Sequence, residues 1–169
     1  MKKIIFISAT SNTNLSLSKT LLRFANDDFC NPVLINLEDY NLPLYNPSTF
    51  VKDKEKMISS ISQLTEIIVS GDAFVICAPE YNGNVPPVFS NAIAWISSMT
   101  QYWKDAFKNK NVFVASSSGG NAERYQIAMK NQLKHIGCNV FKKTIIVNSS
   151  KPIDENIAKK YINEFIKLL

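Results

Sequence analysis

Three segments of this 169-residue chain concentrate small and polar side chains, and none pairs a nucleophile with a base. The first reads Ser8-Ala9-Thr10-Ser11-Asn12-Thr13-Asn14-Leu15-Ser16-Leu17-Ser18. It offers hydroxyls, amides and backbone N–H groups where a helix begins, a setting that suits a phosphate. The segment holds no Lys or Arg, so neutral donors would carry the anion. It is neither GxxxxGK[ST] nor GxGxxG, and the same residues also read as a Ser/Asn turn with a helix cap. The second segment, Ala78 to Pro87, sets an Asn82-Gly83 turn between prolines. Such a stiff loop exposes backbone donors to the edge of a flat heteroaromatic ring, with Tyr81 placed to stack or cap; a rigid connector with a surface tyrosine is the plainer alternative. In the third, Ser116-Ser117-Ser118-Gly119-Gly120-Asn121, two glycines after an apolar run let a ligand approach the backbone closely, or simply make a flexible turn. Hydrolytic and metal chemistry lack their residues: there is one His, and Cys30, Cys77 and Cys138 are far apart with no CxxC.

The elements that must position these loops follow from hydrophobic periodicity. Short β-branched runs at Lys3–Ile7, Val33–Leu37, Ala73–Ala78, Asn111–Ala115 and Val140–Val147 read as strands, the uninterrupted ones buried on both faces. Helical spacing follows each. Leu17, Leu21, Leu22 and Phe24 form one stripe, with Ser16 as the N-cap. Further helices are predicted over Lys54–Ser70, from Pro86-Pro87 to Met99, over Ala122–Ile136 closed by Gly137, and over Asp154–Leu169. Pro43 and Pro47 keep the stretch from Asn41 to Phe50 out of any long helix. Five alternations of strand and helix, with no linker to divide them, predict one α/β domain over 1–169. The architecture expected is a flavodoxin-like three-layer sandwich, a five-stranded parallel sheet of order 2-1-3-4-5 with helices on both faces. In such a sheet the three polar segments all follow strands and share the carboxyl edge, where ligands bind.

Bulk properties narrow the partners. Nineteen Lys and Arg against fourteen Asp and Glu leave a formal charge of +5, spread in pairs such as Lys142-Lys143 and Lys159-Lys160. That pattern does not indicate nucleic acid. Hydrophobic residues make up 46%, yet no run approaches the ~18 apolar residues of a membrane helix. The apolar run after Lys2-Lys3 stops at Ser8, too short for a signal peptide core. A sparse, odd cysteine count suits a reducing compartment, so a cytoplasmic location is expected. Cys77 reads as core and His135 as a structural residue closing a helix. Glu80 reads as a loop-stabilising or solvated carboxylate rather than an acid. Trp95, Tyr102 and Trp103 read as core or interface.

The run Pro79-Glu80-Tyr81-Asn82-Gly83-Asn84-Val85-Pro86, followed by Asn91-Ala92-Ile93 and Trp95, closely resembles the PEYNGSxP…NAIDW signature of NADPH-dependent FMN reductases. Ser118-Gly119-Gly120 matches the family as well, and the first loop is similar to its GSxRxxSxN pattern more loosely. Ala9 stands for the leading glycine, Asn12 falls near the arginine, and Ser90 and Ala94 replace a Lys and an Asp. The resemblance implies non-covalent FMN with NADPH or NADH as co-substrate and a small-molecule electron acceptor such as a quinone, azo compound, chromate or free flavin. By that resemblance the phosphate lies near Thr10, Asn12, Asn14, Ser16 and Ser18. The ring edge meets Pro79, Glu80, Tyr81, Asn82 and Gly83, and Ser117, Ser118, Gly119 and Gly120 pass close to the ring and ribityl chain. No protein residue is expected to act as acid, base or nucleophile, because hydride chemistry belongs to the flavin. The family also implies a homodimer or homotetramer, with Tyr102 and Trp103 as candidate contributors. Two other functions remain: an electron-carrying flavodoxin, disfavoured by the basic composition, and a non-enzymatic flavin-binding regulator.

Overall fold

The computed structural model describes residues 1–25 and 29–169. Five strands, β1 (Lys2–Ser8), β2 (Cys30–Asn36), β3 (Ala73–Cys77), β4 (Asn111–Ser117) and β5 (Asn139–Val147), form one sheet in the order β2-β1-β3-β4-β5. Every strand pair is parallel. The helices are α1 (Thr13–Arg23), α2 (Phe50–Ser70), α3 (Pro87–Met99), α4 (Glu123–His135) and α5 (Glu155–Ile166). The order is that of a flavodoxin-like sheet, with its switch point between β1 and β3.

Two-residue periodicity sorts the central strands between two cores. In β1, Ile4 and Phe6 pack with Leu17 and Leu21 of α1 and Ile162 and Phe165 of α5. Ile5 and Ile7 face the other way, toward Leu64 and Ile68 of α2, Phe89 and Ile96 of α3, and Tyr125 and Met129 of α4. Layers of helix, sheet and helix follow directly from that alternation. β3 is buried at all five positions, which is why its sequence is an unbroken apolar run.

Several boundaries differ from those read from periodicity. α1 opens at Thr13 with Asn12 as N-cap, so Ser16 lies within the first turn rather than capping it. β2 starts three residues early and runs through Pro32, tolerable because β2 is an edge strand whose outer side needs no donor. α2 begins at Phe50, and its first buried residue is Ile61, so its opening turns carry too little burial to signal a helix. β5 contains an irregularity: Val112 pairs with Val140 and Val114 with Thr144, leaving two extra residues around Lys142. A bulge and lysines on an edge strand blunt pairing with other chains.

Trp95 and Asn91, one turn apart on α3, pin the proline-rich crossover. The Trp95 indole N–H donates to the Pro43 carbonyl at 2.7 Å, and Asn91 Nδ2 donates to the same oxygen at 2.9 Å. Asn91 Oδ1 accepts the Tyr45 N–H at 2.7 Å. Trp95 is therefore a core residue. Tyr102 and Trp103 are exposed, and Trp103 packs on the His135 ring at a centroid distance of 5.3 Å. In the second core the rings of Phe113, Phe141 and Phe165 all pack on one another, with centroids 5.6 to 5.8 Å apart. Phe113→Ala is expected to cost about 3–5 kcal/mol. A urea unfolding curve would show it as a large fall in midpoint, and an unshifted midpoint would mean that this aromatic cluster does not hold α5 to the sheet.

Candidate functional site

A cleft of about 680 Å³ opens at the carboxyl edge of the sheet, beside the switch point. The β1–α1 loop and the first turn of α1 contribute Thr10, Asn12, Thr13, Asn14 and Ser16, the loop after β3 contributes Pro79, Glu80 and Tyr81, and the end of β4 with the loop after it contributes Ser117, Ser118 and Gly119. The three segments singled out by composition thus share one cavity. A fourth wall, Val147 to Ser149 with Pro152 and Ile153, comes from the turn after β5. Sequence reasoning missed it, although a parallel sheet puts that turn on the same edge as the others. Asn148 ties it down: its Nδ2 donates to the Gly120 carbonyl at 3.0 Å, and its Oδ1 accepts the Ser150 and Lys151 N–H groups at 2.9 and 2.8 Å.

The remaining expected residues lie just outside. Ser18 is fully buried beneath the cleft, next to Cys77, in the layer between α1 and β3. Asn82 and Gly83 form the tip of a tight turn in which Tyr81 and Asn84 exchange two backbone hydrogen bonds, at 3.1 and 3.0 Å. Both central residues have positive φ, 51° and 75°, a type I′ geometry that favours the Asn-Gly pair. A Cβ on Gly83 would come within 3.0 Å of Arg124 Cδ, so this turn rests on α4. Gly120 is exposed and serves the Asn148 contact.

Hydrogen bonds fasten the rims to one another. Asn14 joins the first loop to the third, donating from Nδ2 to the Ser117 carbonyl and accepting the Ser117 N–H on Oδ1, each at 2.9 Å. The Glu80 N–H donates to Ser118 Oγ at 2.7 Å, joining the second loop to the third. Ser118 Oγ is in turn 3.0 Å from Ser116 Oγ. Glu80 Oε2 accepts the Tyr125 N–H at 3.0 Å, which places a carboxylate on the first turn of α4. On the outer side, Glu38 Oε2 accepts both the N–H and the hydroxyl of Ser11.

The chemistry of the lining is that of neutral donors. Among the described lining residues Glu80 is the one formal charge. Asn12 makes no side-chain cap, so the first N–H groups of α1 keep their donor capacity. Burial pushes the Cys77 thiol up to about 12, with the Ser18 hydroxyl opposing weakly. Burial, reinforced by Cys77, also raises the Tyr125 phenol well above its ordinary value, while its hydroxyl donates to the Ala115 carbonyl at 3.1 Å. Both stay protonated at neutral pH and are unsuited to acid–base work. No group of three or more His, Cys, Asp or Glu side chains that could hold a metal occurs among the described residues. Hydroxyls, amides and a helix N-terminus around a cleft of this size fit a phosphorylated planar ligand such as a flavin mononucleotide.

A parallel five-stranded sheet with a donor-rich cleft at its switch point defines a flavodoxin-like ligand-binding fold. The sequence profile described as NADPH-dependent FMN reductase matches residues 2–151, and the chain belongs to that family. It is 27% identical over 111 residues to the NADH:(hydroxy)cinnamate reductase subunit CrdA of Vibrio ruber, covering 65% of this chain and 51% of that one. It is 34% identical over 80 residues to a quinone reductase of Escherichia coli K12, covering 47% and 40%. The matched segments thus span about half or less of these relatives' length. Among solved structures, FerB, a flavoenzyme NAD(P)H:(acceptor) oxidoreductase from Paracoccus denitrificans, superposes with a TM-score of 0.78 at 24% identity. That likeness, over 99% of this chain and 96% of the other, is one of fold.

Glu80 is the fastening of the second rim that a single substitution can remove. Glu80→Ala is expected to destabilise the protein by about 1 kcal/mol, the ordinary worth of a carboxylate capping a helix start. Glu80→Gln should recover part of it, since an amide oxygen still accepts the Tyr125 N–H. Equal thermal midpoints for wild type and Glu80→Ala would show that the carboxylate does not fasten the loop.

Proposed function

We propose that the chain holds FMN non-covalently in this cleft and acts as an NAD(P)H-dependent oxidoreductase toward a small acceptor such as a quinone, an azo compound or free flavin. The observation that carries this reading is the convergence of three separate loops, joined by the Glu80–Ser118 and Asn14–Ser117 bonds, on one cavity. Family membership and the names of the relatives support the reaction class. In this reading residues 1–169 make up a single FMN-binding domain.

When bound, the flavin supplies the hydride chemistry, taking a hydride from reduced nicotinamide and passing reducing equivalents to the acceptor. The protein binds, orients and shields. Hydroxyls of Thr10, Thr13 and Ser16, the Asn12 amide and the α1 N-terminus hold the phosphate without a cation. The backbone at Pro79 to Tyr81 meets the ring edge. Gly119 leaves room for the ligand, since a Cβ there would find nothing of the protein within 4 Å. Tyr81 is 49% exposed at the rim, available to cover a ring and exclude water. No described helix is long and apolar enough to cross a membrane; three cysteines far apart in the sequence, an odd and sparse count, fit a reducing compartment, and we take the chain to be cytoplasmic. The unburied opening turns of α2, which expose Val51 and Ile58, support a homo-oligomer, a dimer or tetramer that sedimentation would reveal.

Purified protein mixed with FMN should show flavin absorbance that co-elutes with the chain, and should oxidise NADPH or NADH when a quinone is added. A chain that binds FMN without nicotinamide turnover would be an electron carrier; one that binds no FMN would contradict the proposal. Gly119→Val should fold normally and weaken FMN about tenfold or more, matching the roughly 1–3 kcal/mol that over-filling a packed site costs. Unchanged affinity in the folded variant would remove Gly119 from the ligand's path.

A further inference from the structure

Asn14 has a role that its place in a polar loop does not announce. β3 pairs with β4 up to Cys77 opposite Ala115, the Ala78 N–H donates to the Ala115 carbonyl at 3.2 Å, and the chain then leaves the sheet at Pro79. β4 continues two residues further, to Ser117. Within a strand the N–H and C=O of one residue point to the same side, and successive residues alternate. The Ser118 N–H reaches the Val147 carbonyl of β5 at 3.1 Å, so Ser117 turns its own pair toward the side that β3 has vacated. Unpaired backbone groups there would be costly. The Asn14 carboxamide fills the place: Nδ2 donates to the Ser117 carbonyl and Oδ1 accepts the Ser117 N–H, both at 2.9 Å. Asn14 is 1% exposed, and both its polar atoms are used in this one pairing.

We infer that Asn14 is a positioning residue whose side chain stands in for one residue of missing strand, locking the α1 N-terminus to the end of β4 and so setting the distance between two rims of the cleft. A carboxamide is required, because the position needs a donor and an acceptor side by side; Asp only accepts, and Ser brings a single oxygen. Family resemblance places Asn14 on the phosphate; the geometry makes it the part that sets the spacing of the residues around the ligand. Its effect on the cofactor rests on the FMN reading above. The pairing itself does not.

The two roles predict different ligand patterns. If Asn14 held the phosphate directly, Asn14→Ala would weaken FMN and leave riboflavin, which has no phosphate, unchanged. Removing a clamp instead lets the empty cleft visit other spacings, so both ligands weaken together and the loss falls on the association rate. The experiment is amide hydrogen exchange on the apoprotein, with FMN and riboflavin binding kinetics, for wild type and Asn14→Ala. Expected are exchange at the Ser117 N–H faster by about tenfold while Val114 is unchanged, and FMN and riboflavin affinities reduced by a similar factor through slower binding. Unchanged exchange at Ser117, or loss confined to FMN, overturns the inference. If Asn14→Ala does not fold, Asn14→Ser is measured in the same way. Should the wild type bind neither ligand, the FMN reading falls, and the Ser117 exchange alone decides the clamp.

Discussion

Parallel pairing is the constraint on which the rest of this molecule depends. Once all five strands run the same way, every strand-to-helix connection must leave the sheet at one edge and return over a face. Loops separated by dozens of residues are thereby brought side by side without any contact between them being specified in advance. The cleft is the gap left where the helices diverge to opposite faces at the β1–β3 junction. Its donors are those that the ends of strands and the beginnings of helices leave unpaired.

Convergence alone gives proximity, and the side chains turn it into a defined shape. Strands of unequal length leave backbone groups exposed at the ragged edge, and small polar residues pair with them. Asn14 answers Ser117, Ser118 answers Glu80, Glu80 answers Tyr125, and Asn148 answers Gly120. Each bond joins segments from different parts of the chain, so the rims are tied to one another. A site assembled this way needs little charge. Its neutral donors are preorganised, and preorganisation lowers the cost of binding a ligand.

The signature residues divide by task when set on the fold. Pro79, Glu80 and Tyr81 border the cleft, Asn82 and Gly83 give the turn its left-handed geometry, and Asn91 and Trp95 grip the Pro43 carbonyl on the far side of α3. A contiguous motif in the sequence thus spans a wall, a turn and an anchor. Only the first of these meets the cavity.

What was legible in the amino-acid order was everything governed by local periodicity and composition. The buried runs of β1, β3 and β4 mark central strands, the alternation of strand and helix dictates a parallel sheet, and the three polar loops follow from it. Burial on both faces leaves a strong apolar signal. Where burial fades the signal fades too, which is why the first turns of α2 and the Pro32 stretch of β2 escaped it. Tertiary structure alone decided which polar residue faces the cavity and which is consumed by its neighbours. Ser18 and Asn14 look alike with Ser16 and Asn12 along the chain, yet one is sealed in the core and the other is spent on Ser117. A hydrogen-bond partner a hundred residues away leaves no mark on local spacing, so the difference arises only when the strands end at unequal heights.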